Sequence, residues 1–374
     1  MAQLLIDWYN DESHVLINPL LPQATQEALR NAVAPHSHLK GHIWIATSGT
    51  ESFPKMIALS KKAMLISAEA VNDHLHAKLH HSWLNVLPLF HAGGLGTHTR
   101  SLLSDSTIFD FSDKKWDPIW YVETLTALNI SFSSLTPTHI YDIVKNKLRP
   151  PESLEAIIVG GGELIETLQL EAYALGWPLF KSYGMTETCS QIATALHPDP
   201  RTQLVILKHM HLRFNEEGFI EIKSDSLLTG YVRGNDPECT LIDPKVDGWF
   251  TTQDKGTIEA DFLYIYGRGA NFMKIGGENV NFSLLEATWE AVKVQYKCHS
   301  DVVLIDMPDE RLGKIICIAA ANPKDPDGFK SLIEEYNKQV IPLAKIRHVY
   351  YVEALPRTEL YKLKRNDLRI MLKE

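Results

Sequence analysis

Residues 43–55 read Ile-Trp-Ile-Ala-Thr-Ser-Gly-Thr-Glu-Ser-Phe-Pro-Lys. The apolar run Ile43 to Ala46 has the length and character of a buried strand, and it empties into a hydroxyl-rich turn ending at Lys55. Backbone N–H groups and small hydroxyls in such a turn can surround an anion, and one ammonium can balance its charge. The spacing is not the G-x-x-x-x-G-K-[ST] of a Walker loop. Taken alone, a Ser- and Thr-rich turn is also simply a turn. The rest of the chain has to choose between these readings.

Beyond the loop, short β-branched runs alternate with helical patterns. Residues 83–87, 130–135 and 156–159 read as strands, and 60–73 and 138–147 as helices, with Pro137 at a tolerated place near a helix start. This alternation predicts βαβ units and a mixed or parallel sheet. After about residue 205 the segments shorten and alternate in polarity, as in Phe219-Ile220-Glu221-Ile222 and Phe262-Leu263-Tyr264-Ile265-Tyr266. That pattern predicts an antiparallel meander. Gly267 to Asn271 reads as a hinge. A smaller α+β unit follows, with a helix around 283–294, strands at 301–305 and 314–320, and a helix at 328–339. The expected fold is α/β. A large N-terminal domain (1–267) holds mixed sheets, flanking helices and an antiparallel part, and a small α+β C-terminal domain covers 268–374.

Composition sets limits on the function. The chain has 374 residues, 45% hydrophobic and 22% charged, the profile of a globular enzyme rather than a disordered or fibrous chain. A net charge of −9 argues against a nucleic-acid surface, which needs a basic face. The four cysteines form no C-x-x-C pair, so neither a disulfide framework nor a cysteine metal site is indicated. The first residues lack the basic and apolar regions of a signal peptide, and no window is apolar enough to span a bilayer. A cytoplasmic protein is expected. His74, His76, His80 and His81 read as solvated side chains of a polar helix.

Five further segments carry chemistry. Gly160-Gly161-Gly162 follows a strand, where glycine lets a ligand approach the backbone. In Tyr183-Gly184-Met185-Thr186-Glu187-Thr188 an aromatic face, a turn glycine, a hydroxyl and a carboxylate stand close together. Tyr183 can stack on a purine, Thr186 can bond a phosphate, and Glu187 can hold Mg²⁺, which prefers oxygen ligands. Asp254, at the end of Trp249-Phe250-Thr251-Thr252-Gln253-Asp254, can accept from ribose hydroxyls. Arg268 with Lys274 to Asn279, and Leu355-Pro356-Arg357-Thr358 with Lys362, complete the set.

In this order the segments resemble the adenylate-forming superfamily of acyl- and aryl-CoA ligases, peptide-synthetase adenylation domains and luciferases. Tyr183 to Thr188 matches that family's adenine and Mg²⁺ motif, and Gly230-Tyr231 through Pro237-Glu238-Cys239-Thr240 resembles its G-Y-x-x-x-x-P-E-x-T. Trp249 to Asp254 is similar to W-F-x-T-G-D, with Gln253 for glycine. The resemblance implies ATP, Mg²⁺ and coenzyme A. Thr47, Ser48, Gly49, Thr50 and Lys55 would wrap the phosphates. Gly161, Gly162, Tyr183 and Gly184 would line the adenine site, and Asp254 and Arg268 would hold the ribose. Glu187 would bind the metal. Lys362 would stabilise charge as the carboxylate attacks, with Thr186 and Glu187 beside it. Gly276 and Gly277 would serve the CoA step once a mobile C-terminal domain has rotated.

Within the superfamily, Ser182 to Ala193 (SYGMTETCSQIA) resembles the branch that activates o-succinylbenzoate for menaquinone biosynthesis. His91, Arg100 and Thr136 would line the acyl site, Arg100 facing the second carboxylate of that dicarboxylate substrate. The expected partners are therefore a small carboxylic acid, ATP and CoA, with no nucleic acid and no membrane span; a homodimer is compatible with the reading. Other acyl-CoA ligases and a non-catalytic nucleotide-binding relative are the alternatives. Glu51, Ser52, Met56 and Tyr361 depart from the family pattern. With 46 residues before the loop, a shortened large domain is expected.

Overall fold

Two sheets meet where the 43–55 segment ends. The computed structural model describes residues 6–47, 54–162, 164–269, 272–275, 278–298, 300–309, 311–321, 329–357 and 363–373, with backbone alone at 268, 272, 274, 278 and 279. Two compact units divide the chain, one of residues 1–252 and 257–264, the other of 253–256 and 265–374.

In the first unit, β1 (His14–Leu16), β2 (His42–Thr47), β3 (Lys55–Ser60) and β13 (Gly230–Arg233) form a four-stranded sheet in that order. Ile43, Trp44 and Ile45 are all buried, as an unbroken apolar run requires of a strand covered on both faces. On one face α1 (Gln23–Val33) packs Leu29, Ala32 and Val33 against Trp44, Met56 and Ala58.

The second sheet begins as a parallel array. β4 (Ser82–Asn85), β5 (Thr107–Asp110), β6 (Phe132–Leu135), β7 (Ala156–Val159) and β8 (Leu179–Met185) lie in the order β5-β4-β6-β7-β8. The helices α2 (Lys61–Leu75), α3 (Ala92–Leu103), α4 (Pro118–Ala127), α5 (Pro137–Lys145) and α6 (Glu166–Ala174) flank it. Strand periodicity sorts the side chains between two cores. Leu84, Leu135, Ile157 and Val159 face Tyr121, Leu125, Ile140 and Leu168, while Trp83, Phe132, Ala156 and Ile158 face Ala70, Val71 and Leu75 of α2. Ser60 caps α2 by accepting from the Ala63 N–H at 3.0 Å.

Past β8 the pairing turns antiparallel through β9 (Ser190–Ala195) and β10 (Leu204–Ile206). The sheet continues with β16 (Phe262–Arg268), β15 (Trp249–Glu259), β12 (Phe219–Lys223) and β11 (His211–Phe214), and β14 (Lys245–Val246) pairs with β15. The change of texture near residue 205 is thus one sheet switching from parallel to antiparallel. The expected hinge begins inside a strand, because β16 runs through Gly267 and Arg268; residues 270 and 271 lie outside the described residues.

The second unit has a hairpin of β17 (Phe272–Ile275) and β18 (Glu278–Asn281), followed by α7 (Phe282–Gln295). β19 (Val302–Asp309) and β20 (Gly313–Ala321) are antiparallel, and β21 (Ile346–Val352) runs parallel to β20. Leu304, Ile316 and Ile318 face α7 and α8 (Phe329–Gln339), and Ile305, Met307 and Cys317 face Leu368 of α9 (Arg365–Met371).

One surface expectation is corrected. His81 is buried, 6% exposed, with its ring 4.7 Å from Phe132, because the chain turns inward there to start β4. His76 and His80 are exposed, and half-buried His74 bonds the Ala195 carbonyl at 2.8 Å.

Candidate active site

Parallel strands present their following loops at one edge, where open α/β sheets bind ligands. β4 leads to His91, β6 to Thr136, β7 to Gly160-Gly161-Gly162 and β8 to Thr186 and Glu187, so chain-distant segments share the carboxyl edge of adjacent strands. The Gly161 loop is packed against its neighbours. A Cβ at Gly160 would meet Ser182 Oγ at 3.0 Å, and one at Gly161, whose φ is +78°, would meet the Thr136 methyl at 3.7 Å. Thr136 caps α5 and engages His139, whose Nδ1 accepts from the Thr136 N–H at 3.2 Å.

Gly184 is a strand residue rather than the expected turn glycine. β8 and β9 shift register between Tyr183 and Gly184, and a Cβ at Gly184 would overlap the Ser190 carbonyl. Only glycine permits that approach. The 3₁₀ turn Thr186–Thr188 then lifts Thr186 and Glu187 out of the sheet, closed by Thr188 Oγ1 donating to the Met185 carbonyl at 3.0 Å.

Glu187 links the two sheets. Its carboxylate lies 3.6 Å from Lys55 Nζ, and its carbonyl accepts from the Leu228 N–H at 2.8 Å. Both side chains keep partial solvent access, 25% for Lys55 and 17% for Glu187. An ion pair of this kind contributes roughly 0–1 kcal/mol, little enough for a ligand to replace it. Lys55 also stands over the Tyr231 ring, 4.8 Å from its centroid. Beside Lys55 on β2, Thr47 has a buried hydroxyl with no hydrogen-bond partner among the described residues. An orphaned donor beside an ammonium suits an anion.

The other half of the site is built on Arg100. Its side chain is 1% exposed, on the last turn of α3. Nη1 donates to Ser134 Oγ and Nη2 to Ser190 Oγ, each at 3.3 Å, while Nε has no partner among the described residues. The guanidinium lies 5.8 Å from the Trp83 ring, and no carboxylate pairs with it among the described residues. Burial pulls its pKa down to about 9, leaving it cationic at neutral pH. Isolated buried charges are costly, so a cation held by two serines and an indole can take an anion as its partner. Although it stands near a helix end, Arg100 is fully buried and is not a surface arginine.

His91 is exposed at the start of α3, its ring 4.7 Å from Phe90. Tyr183 is half-buried on β8 beside Ala193. Asp254 is buried on β15, 6% exposed. Arg268 is placed on β16 by its backbone. Ser48, Gly49, Thr50, Gly276, Gly277 and Lys362 lie outside the described residues, as do Glu51, Ser52 and Tyr361. The first unit therefore gathers Thr47, Lys55, Gly161, Gly162, Tyr183, Gly184, Thr186 and Glu187 with His91, Arg100 and Thr136. Sequence reasoning assigned no role to Ser134, Ser190 or Tyr231. Ser134 stood in a predicted strand and the other two inside quoted motifs, but their partners lie 34, 90 and 176 positions away.

Among the described residues, no group of three metal-ligating side chains forms a cluster, and no helix is long and apolar enough to cross a membrane. A site completed by a ligand's own phosphates needs no such cluster, and a carboxylate such as that of Glu187 is of the oxygen type that Mg²⁺ prefers.

The chain is similar to known proteins over most of its length. A 2-succinylbenzoate–CoA ligase of Bacillus licheniformis is 28% identical over 339 residues, spanning 86% of this chain and 68% of that protein. One of Staphylococcus aureus is 28% identical over 333 residues, spanning 86% of this chain and 65% of that protein. Among solved structures, o-succinylbenzoate CoA synthetase of Bacillus subtilis, in complex with the acyl-adenylate intermediate OSB-AMP, superposes with a TM-score of 0.69. It is 24% identical, covering 87% of this chain and 68% of that one. Wild-type E. coli MenE with a bound phenylether-linked analogue of OSB-AMS gives 0.73 at 20% identity, covering 97% and 88%. These structures share the fold. The chain thus spans about two thirds of the length of its curated relatives. Residues 20–232, which carry the loop after β2, the glycine turn, the strand–turn at Glu187 and buried Arg100, match the family described as AMP-binding enzyme, and the chain belongs to that family.

Proposed function

We propose that this protein activates 2-succinylbenzoate with ATP and transfers the acyl group to CoA, releasing AMP and diphosphate. Membership of the AMP-binding family supports the nucleotide half of this reading. The observation that carries the acid half is Arg100, a fully buried guanidinium with serine partners. 2-Succinylbenzoate has two carboxylates; one reacts, and the other needs a fixed cation. A planar guanidinium offers it two parallel N–H donors.

In the proposed reaction a carboxylate oxygen forms a bond to the α-phosphorus of ATP. The bond to the oxygen bridging the α- and β-phosphorus breaks, and its electron pair leaves with diphosphate. No protein nucleophile is required. Thr47, Ser48, Gly49, Thr50 and Lys55 bind the departing phosphates, and Tyr183 with Gly161, Gly162 and Gly184 lies along the adenine. Asp254 and Arg268 hold the ribose. Thr136 and His91 border the acid, and Lys362 balances the charge that develops in the transition state. Mg²⁺, when bound, would neutralise phosphate charge, held through Glu187 with Thr186 beside it. In the second step the CoA thiol attacks the acyl carbon and AMP leaves with the mixed-anhydride electron pair. The C-terminal domain expected at 268–374 would serve as a mobile lid, with Gly276 and Gly277 near the thiol. We place the work in the cytoplasm, where ATP and CoA are found; sedimentation decides between monomer and homodimer.

The test is diphosphate release with ATP, Mg²⁺, CoA and 2-succinylbenzoate. Turnover that depends on this acid is expected. Turnover with benzoates or fatty acids alone would reassign the protein to another branch of acyl-CoA ligases, and none with any acid would make it a nucleotide-binding relative without catalysis.

A further inference from the structure

β3 is flanked by β2 and β13, and both pairings are antiparallel with fixed register. Thr47 lies opposite Lys55 on one side, and Arg233 lies opposite Lys55 on the other. Directly opposite residues place their side chains on the same face of a sheet. Thr47, Lys55 and Arg233 therefore form one row across three strands, at the edge from which the 48–53 loop departs. Tyr231 shares that face two positions before Arg233. Its ring lies 4.8 Å from Lys55 Nζ and 6.0 Å from Arg233 Cζ, so one aromatic face serves two cations.

Like charges directly opposite one another destabilise a sheet. An aromatic platform offsets part of this, by about 0.5–1 kcal/mol for each exposed cation. Lys55 faces the Glu187 carboxylate at 3.6 Å and Arg233 interacts with Asp236, pairings with solvent access that an anion with several charges can replace. With the Thr47 hydroxyl, which has no hydrogen-bond partner among the described residues, the row makes a surface for such an anion. Arg233 is exposed and carries a guanidinium, which grips phosphate oxygens in pairs.

The geometry points to Arg233 as a second polyphosphate cation, binding the β- and γ-phosphates of ATP and the diphosphate that leaves, with Tyr231 holding Arg233 and Lys55 in one row. This rests on the proposed adenylation and deepens it. As the α–β bond breaks, charge collects on the leaving diphosphate, where a cation positioned beforehand lowers the barrier. AMP lacks those phosphates, so its binding does not involve Arg233.

Calorimetric titration of the whole protein with inorganic diphosphate and, separately, with AMP tests the assignment, using Arg233→Gln and Arg233→Lys. Arg233→Gln is expected to weaken diphosphate binding about tenfold, the loss of one charge-assisted pair of bonds, and to raise the KM for ATP by a similar factor. AMP affinity should not change, and Arg233→Lys should recover part of the loss by restoring the point charge. Diphosphate affinity in Arg233→Gln within about twofold of the parent would overturn the assignment. So would a parallel loss of diphosphate and AMP binding, which would mark a structural role. The titrations need no turnover. A parent protein that binds diphosphate through Arg233 but activates no acid would leave this inference standing and remove the adenylation reading.

Discussion

Arg100 is where a single residue carries most meaning. Serine hydroxyls at 134 and 190 and the Trp83 ring surround its guanidinium, no counter-charge stands beside it among the described residues, and a buried cation without one lowers stability. If the cation is kept for a substrate carboxylate, replacing it should separate stability from function. Arg100→Met is expected to raise the melting temperature of the ligand-free protein, a gain of roughly 1–3 kcal/mol from removing the desolvated charge. The same variant should raise the KM for 2-succinylbenzoate by about tenfold or more, while benzoate-like acids with one carboxylate are little affected. Melting curves and steady-state kinetics read the two effects. A fall in melting temperature would show that Arg100 holds α3 in place, and an unchanged KM would remove it from the acid site. Gly184 teaches a related lesson. Its glycine identity was plain in the chain, but the reason for it, the Ser190 carbonyl of the next strand, was not.

At the scale of elements, local chemistry and long-range contacts divide the work. α2 begins where its sequence says it should, because Ser60 is a hydroxyl cap directly ahead of the helix. Ser60→Ala should lower stability by about 1 kcal/mol in urea unfolding, with the helix otherwise intact. The ties among β19, β20 and α9 could not be read the same way. Asp306 on β19 is 2% exposed and is bonded by Arg369 of α9 and, at 2.9 Å, by Lys314 of β20. Burial pushes its pKa up, but the Arg369 and Lys314 contacts outweigh that, and the carboxyl lies below the ordinary aspartate range. A depressed carboxylate pKa contributes stability above the unfolded value, about 3.9, and that stability is lost as pH falls through the lower folded value. Acid titration of the melting temperature should therefore steepen below about pH 4. Asp306→Asn should flatten that part of the curve and cost roughly 1–3 kcal/mol at neutral pH. An unchanged acid limb would assign the ties no role in stability.

For the whole molecule, the proposed reaction divides into adenylation and thiol transfer, and Lys362 is assigned to the first alone. Lys362→Ala should abolish diphosphate release, yet largely preserve thioester formation from supplied acyl-adenylate and CoA. Equal loss in both assays would withdraw the assignment. By itself, the sequence determined the α/β class, the family and the nucleotide motifs. These rest on short-range features, the strand and helix periods and contiguous strings such as Tyr183 to Thr188, which folding leaves in order. Only the tertiary structure decided that Arg100 is buried beside Ser134 and Ser190, that Lys55 meets Glu187 across two sheets, and that Lys55 and Arg233 share one tyrosine. Each of these depends on strand order and register between segments far apart in the chain. Hydrophobic periodicity says which face of a strand is buried, but not which strand lies beside it.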